Sequence, residues 1–248
     1  MKIDVIGSGS AFSEINNTSS IHIEDNSHNQ WLIDCGPTIP RALWQRGIEV
    51  NAIQAIYFTH CHPDHCSGLA ALVNQWKSFQ RAEPLDIFSQ LEQQPLLTSL
   101  VDLAIWPETD ICFDIRWHDI ADAFTWQHWE IETANTQHEI SNRAIRLTVD
   151  GQTLFYSGDG RPTAASKVLM QDADLAFQEC ASFNALDDDA SHGDLPDCIR
   201  LLKDTNVKKL GLYHCFDAAL PNLRDAAGTI PNLFISYDGL MLNTADAL

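Results

Sequence analysis

His60-Cys61-His62-Pro63-Asp64-His65 puts three imidazoles and a carboxylate within six residues, directly after the apolar run Ala55-Ile56-Tyr57-Phe58. The run reads as a strand and the cluster as the loop that follows it. Four metal-competent groups so close together make a poor structural element and a good pair of half-sites for divalent metal. Pro63 stiffens the turn between them. Three further candidates stand far downstream: His138, Asp159 and His214. If the fold gathers all seven, the chain is a dinuclear metal hydrolase.

Outward from the cluster, short apolar runs alternate with turn residues from end to end. Residues 3–6, 20–23, 31–34, 55–58, 85–88, 124–131, 145–149, 153–156, 175–177, 209–213 and 233–235 read as strands. Leu69, Leu72, Val73 and Trp76 follow i, i+3, i+4, i+7 spacing, which predicts a helix just behind the histidines. Asp194 with Pro196 reads as an N-cap and early-turn proline opening a helix to about Lys203. Residues 38–46 and 90–103 are further helical stretches. With no repeat or linker to divide it, the chain reads as one α/β domain over residues 1–248: an αββα sandwich of two mixed β-sheets flanked by helices. His60, Asp159 and His214 each fall at, or within three residues of, a predicted strand end, and His138 follows run 124–131 after a short loop. Ligands so placed can converge along one rim of the sandwich.

A net charge of −19 disfavours long contacts with nucleic acid or anionic membrane. No stretch approaches the roughly 18 consecutive apolar residues of a membrane span. The N-terminal residues read as a strand and not as a signal peptide. Seven scattered cysteines without a CxxC pair favour a reducing, cytoplasmic setting. Cys61, Cys66 and Cys215 can ligate soft metal or simply fill space beneath the site. Trp106, Trp117, Trp126 and Trp129 suit core packing, with a pocket or homodimer face as alternatives.

In an HxHxDH loop the first two histidines can face one metal while the Asp and last His face a second. Asp159 can bridge both, with His138 and His214 completing one shell each. This ordered set resembles the metallo-β-lactamase superfamily, whose pattern is HxHxDH followed by a distal His, Asp and His. Gly7-Ser8-Gly9-Ser10 and Leu32-Ile33-Asp34-Cys35-Gly36 resemble its opening segments. Tyr156-Ser157-Gly158-Asp159-Gly160-Arg161-Pro162 is similar to the SGDTRP segment of the ribonuclease Z-like phosphodiesterase branch, with Gly160 in place of Thr. Gln178-Glu179-Cys180 and Ala190-Ser191-His192-Gly193 fall where that branch has its HEA/HEC and HST segments, with Gln178 in place of His.

The resemblance implies the metallo-β-lactamase fold and two divalent transition-metal ions, zinc first with manganese or iron as alternatives. Such ions, roughly 3.5–4 Å apart, hold a bridging hydroxide that attacks a small phosphodiester. Asp64 is expected as a ligand that also orients the nucleophile. His192, oriented by Glu179, is expected to protonate the leaving oxygen, and Arg161 to clamp a phosphate oxygen. Asp34 is expected to support the loop without ligating. The competing readings are a lactonase or thioesterase on the same site, an iron-dependent redox enzyme, and a non-catalytic metal-stabilised binding module.

Overall fold

The structure, a computed structural model, describes residues 1–244; residues 245–248 of the expected domain lie outside the described residues. Six strands follow one another in the first sheet: β1 (Lys2–Gly7), β2 (Ser20–Glu24), β3 (Gln30–Ile33), β4 (Ala55–Tyr57), β5 (Leu85–Ser89) and β6 (Ile115–Asp119). The second sheet takes β7 (Ala123–Trp126), β8 (Trp129–Asn135), β9 (Arg143–Val149), β10 (Gln152–Tyr156), β11 (Leu175–Glu179), β12 (Leu210–Tyr213) and β13 (Leu233–Ile235). β14 (Met241–Asn243) returns to the first, pairing antiparallel with β1. Each sheet is mixed: β3 to β6 and β10 to β13 run parallel, while the remaining neighbours are antiparallel.

Parallel neighbours need crossover connections, and helices supply them. α1 (Ile39–Gln45), α2 (Pro63–Cys66), α3 (Leu69–Ser78) and α4 (Gln94–Ile105) belong to the first half; α5 (Ala164–Met170), α6 (Leu195–Asp204) and α7 (Leu220–Ala227) belong to the second. One apolar layer lies between the sheets, where Trp31 and Trp129 stack with ring centroids 5.2 Å apart. A second layer packs Leu69, Leu72, Val73, Trp76 and Leu97 under the first sheet, and a third packs Leu195, Cys198, Leu201 and Leu223 under the other. Three apolar layers between four structural layers are the αββα sandwich expected from the sequence.

Strands buried on both faces, such as β4 and β12, read as continuous runs without a charged residue. The run over 124–131 instead breaks into β7 and β8, because Gln127 takes φ +53° and turns the chain back on itself. β6 and β14 went unread. Both are sheet edges, β6 carrying Arg116, His118 and Asp119 and β14 only three residues long, and pairing rather than pattern makes them strands. α5 also went unread, although Thr163 and Ser166 form a capping box at its start, as did the short α7. The expected N-cap holds: Asp194 accepts the Asp197 amide ahead of Pro196.

Two buried charges tie distant segments together. The Arg81 guanidinium donates to the carbonyls of Val50, Ile53, Glu83 and Pro84 and packs 4.5 Å from the Trp76 ring. Burial pushes its pKa down to about 10, so it stays charged at neutral pH. Asp25 accepts the Ser27 and Asn29 amides at 2.8 Å and, from the other sheet, Trp129 Nε1 at 2.6 Å.

Candidate functional site

The carboxyl ends of the parallel strands open on one edge of the sandwich, the place where such sheets leave a crevice. His60 stands just beyond β4, Asp159 beyond β10 and His214 directly after β12, while Glu179 ends β11 and His138 comes from the loop after β8. α2 begins inside the histidine cluster, with His62 as N-cap and Pro63 at the first position, so Asp64 and His65 share one helical turn. That turn packs against Gly36, where an added Cβ would lie 1.8 Å from the Asp64 carbonyl oxygen. No residue with a side chain fits there, which is the physical content of the Asp34-Cys35-Gly36 segment. Asp34 and His214 adopt φ of +60° and +54°, left-handed conformations costly for non-glycine residues and concentrated at functional sites.

The fold gathers all seven expected side chains into two facing sets. In the first, His60 Nε2 and His138 Nε2 each lie 3.1 Å from His62 Nδ1. In the second, Asp64 Oδ2 lies 3.2 Å from His65 Nε2 and 3.3 Å from His214 Nε2. Asp159 stands between them. Its Oδ1 is 3.3 Å from His65 Nε2, and its Oδ2 is 3.2 Å from His214 Nε2, 3.9 Å from His60 Nε2 and 4.0 Å from His138 Nε2.

Whether these residues suit cations is decided by their remaining atoms. His138 Nδ1 donates to the Ser191 carbonyl at 2.9 Å, and His65 Nδ1 donates to Asp34 Oδ2 at 2.8 Å. Thr59 Oγ1 gives its proton to Asp34 and so accepts from His60 Nδ1. Each of these rings therefore turns the lone pair of Nε2 inward, the partner arrangement that orients metal-ligating histidines. Buried His65 Nε2 and Asp159 Oδ1 face each other at 3.3 Å without hydrogen-bond geometry, a contact that a shared cation would satisfy better. Three imidazoles on one side, and two imidazoles with a carboxylate on the other, bridged by a second carboxylate, fit divalent transition metals.

Electrostatics agrees at His60 and Asp64. Burial, reinforced by neighbouring His65, holds His60 well below the usual histidine pKa, so its imidazole is neutral. His65 differs: burial opposes its charge, but Asp159 and Asp34 outweigh it and hold the ring well above its usual value, so without a cation Nε2 keeps a proton that a bound metal ion would displace. Burial likewise opposes charge on Asp64, and its contacts with His214 and His65 override this and keep it ionised. The buried thiols of Cys61, Cys66 and Cys215 fall in none of the ligand groupings found among the described residues.

A cavity of about 640 Å³ opens over the cluster. Its floor holds His62, Asp64, Asp159, His192 and His214, and Ser10–Ser13 and Phe216–Ala218 form its walls. Asp217 ties those walls together by accepting Ser13 Oγ at 2.6 Å and the Glu14 amide at 2.8 Å. His192 lies beside the two ligand sets, its ring centroid 5.2 Å from that of His138 and 5.6 Å from that of His214. Its Nδ1 meets Glu179 Oε1 at 2.9 Å, while Glu179 Oε2 accepts the amides of Gly160 and Gly193.

Arg161 departs from expectation. Its guanidinium is buried and directed at Asp197 Oδ2 (2.6 Å), Asp194 Oδ2 (3.4 Å) and the Leu186 and Asp187 carbonyls. It does not line the cavity, so the phosphate clamp is withdrawn: these two buried carboxylates claim the charge. Thr59 and Asn142 went unread as site residues. Asn142 is fully buried, donates to Thr136 Oγ1 and the Ser157 carbonyl, and accepts the Asp159 amide. Thr59 could have been suspected from its place beside His60; nothing in the sequence marks Asn142.

A family model described as Anti-Pycsar protein Apyc1 matches residues 1–231. The ribonuclease Z of Shouchella clausii (strain KSM-K16) is 23% identical over 96% of this chain and 95% of its own. The Anti-Pycsar protein Apyc1 of Paenibacillus xerothermodurans is 30% identical over 65% of this chain and 66% of its own. In three dimensions the chain is similar to the metallo-beta-lactamase fold protein YhfI from Bacillus subtilis, with TM-score 0.82 and 21% identity over 97% of this chain and 98% of that one. A relative named for ribonuclease activity removes the ground for excluding nucleic acid on net charge alone, and that exclusion is dropped. Among the described residues no helix is long and apolar enough to cross a membrane. With the family model matching residues 1–231 and the fold shared over 97% of the chain, the chain belongs to the Anti-Pycsar protein Apyc1 family, on the metallo-β-lactamase fold.

Proposed function

We propose that this metal-dependent hydrolase cleaves a small phosphodiester, with His60, His62 and His138 holding one divalent transition-metal ion and Asp64, His65 and His214 a second. The observation that carries the reading is the position of Asp159, a buried carboxylate reaching both donor sets beneath a cavity whose floor also holds His192, with Glu179 buried behind it. Two such ions, zinc being the first to test, supply Lewis acidity and a water acidified toward neutral pH.

The chain's own residues supply the rest. Asp34 and Thr59 fix the His60 and His65 rings, and the Ser191 carbonyl fixes His138. Asp64 and Asp159 bring negative charge that balances the cations. Glu179 holds the proton on His192 Nδ1, and its charge favours the imidazolium, leaving Nε2–H to be donated to a departing oxygen. Burial lowers the pKa of His192, and Glu179 outweighs it to bring the ring to about 9, so a proton is present at neutral pH. A proton donor matters where the leaving group is an alkoxide, which favours an ester of an alcohol, such as an alkyl phosphodiester, over a thioester.

The test is a substrate panel on zinc- and manganese-loaded protein: bis(p-nitrophenyl) phosphate, cyclic nucleotides, a short RNA, a lactone and a thioester. Cleavage of phosphodiesters, abolished in His62→Ala, is the expected result. Turnover confined to the lactone or thioester, or none at full metal occupancy, defeats the reading.

A further inference from the structure

Two residues outside the ligand set hold the segment that carries His192. Gln137 and Arg161 pair as an isolated antiparallel bridge, each amide donating to the other's carbonyl at 3.0 Å. Gln137 precedes His138, and Arg161 follows Asp159 by two residues, so the bridge joins two metal-ligand loops. Both side chains then reach to one further segment, residues 186–190. Gln137 Nε2 donates to the Asp188 carbonyl at 2.8 Å and to that of Ala190 at 3.1 Å. Arg161 Nη1 donates to the Asp187 carbonyl at 2.5 Å. Asp194 closes the segment from behind by accepting the Leu186 amide at 2.9 Å.

The next two residues are the ones the site uses. Ser191 offers its carbonyl to His138 Nδ1, and His192 meets Glu179. Glu179 is also tied to this bridge, since its Oε2 accepts the amide of Gly160, the residue before Arg161. Gly160 has φ +100°, and a Cβ there would stand 2.5 Å from the Gln137 carbonyl oxygen. A threonine in that position, as in the segment it resembles, does not fit this bridge. Glycine at 160 and the paired side chains at 137 and 161 form one arrangement.

We propose that Gln137 and Arg161 are positioning residues: together they clamp residues 186–190 so that His192 is held at a set place beside the two ligand sets. The inference rests on the reading of His192 as proton donor. A hydrogen-bonded clamp onto backbone carbonyls fixes a loop that its own acidic run, Asp187-Asp188-Asp189, would otherwise extend into solvent by like-charge repulsion. Misplacement of a reacting group by about 1 Å from a remote change costs up to roughly 100-fold in rate.

Gln137 is exposed, so Gln137→Ala leaves the core intact and is the primary variant. Arg161→Lys, which keeps a charge but cannot reach carbonyl and carboxylate together, is the second. In metal-loaded protein, Gln137→Ala is expected to lower kcat about 10-fold on an alkyl phosphodiester, whose alkoxide needs a proton. The effect on bis(p-nitrophenyl) phosphate, whose phenolate leaves unaided, is expected within about twofold. In a His192→Ala background the same substitution is expected to add nothing. Amide hydrogen exchange is expected to quicken over residues 186–193 and nowhere else. Equal losses on both substrates, an additive effect in His192→Ala, or unchanged exchange over 186–193 each overturn the clamp. If His192→Ala itself discriminates no leaving group, the proton-donor reading fails and the clamp fails with it. If it does discriminate while Gln137→Ala does not, only the clamp fails.

Discussion

Glu179→Gln is the substitution that isolates proton donation from metal chemistry. The buried carboxylate accepts three hydrogen bonds: His192 Nδ1 on Oε1 at 2.9 Å, and the amides of Gly160 (3.1 Å) and Gly193 (2.9 Å) on Oε2. A glutamine has one oxygen for these two positions. Turning its NH₂ toward the glycine amides sets donor against donor twice, so the oxygen stays there and the NH₂ faces His192. Nδ1 must then accept, so it gives up its proton, and the ring becomes a neutral imidazole, a weaker acid without its charge-assisted partner. That bond contributes about 1.5–3 kcal/mol, or roughly 10- to 150-fold at 1.36 kcal/mol per decade.

The assay is kcat against pH for an alkyl phosphodiester and for bis(p-nitrophenyl) phosphate, on protein of measured metal content. On the alkyl substrate, kcat falls by that factor. Because Glu179 raises the His192 pKa, removing its charge moves the alkaline limb to lower pH. The p-nitrophenyl substrate changes little. Equal losses on both substrates, or an alkaline limb that stays in place, refute the assignment of His192 as proton donor.

The other predictions concern the metals and the scaffold. Chelation should lower the melting temperature, and zinc at 100 times its Kd should restore about 2.7 kcal/mol; His62→Ala should bind one equivalent fewer by elemental analysis. Arg81→Met strands four backbone carbonyls and should cost at least ~3 kcal/mol in urea denaturation, with the metal-loaded activity per folded molecule unchanged. Burial acts to raise the Asp25 pKa, but hydrogen bonds from Asn29 and Trp129 outweigh it and leave the pKa below its usual value. Its contribution to stability is therefore complete above an unfolded pKa of about 4 and is lost as pH falls through the folded value. Asp25→Asn should flatten that acid limb when unfolding is followed by tryptophan fluorescence.

The linear chain carried much of this protein openly. Four candidate ligands lie within one hexapeptide, and three more follow the ends of apolar runs, because a ligand loop must leave a buried strand and the strand's apolar character is local. The central parallel strands were legible for the same reason, and so was the helix capped by Asp194. What only the tertiary structure decided is what depends on partners distant in sequence. Asn142 is an ordinary asparagine until Thr136, Ser157 and Asp159 close around it. Arg161 reads as a phosphate ligand beside a metal-binding Asp until Asp194 and Asp197 take its charge. Edge strands β6 and β14 exist because a neighbour offers its backbone, and no periodicity announces that. Residue type states which chemistry a side chain can do; which of its possible partners it meets is set by packing across the whole fold, and so was absent from the order of residues.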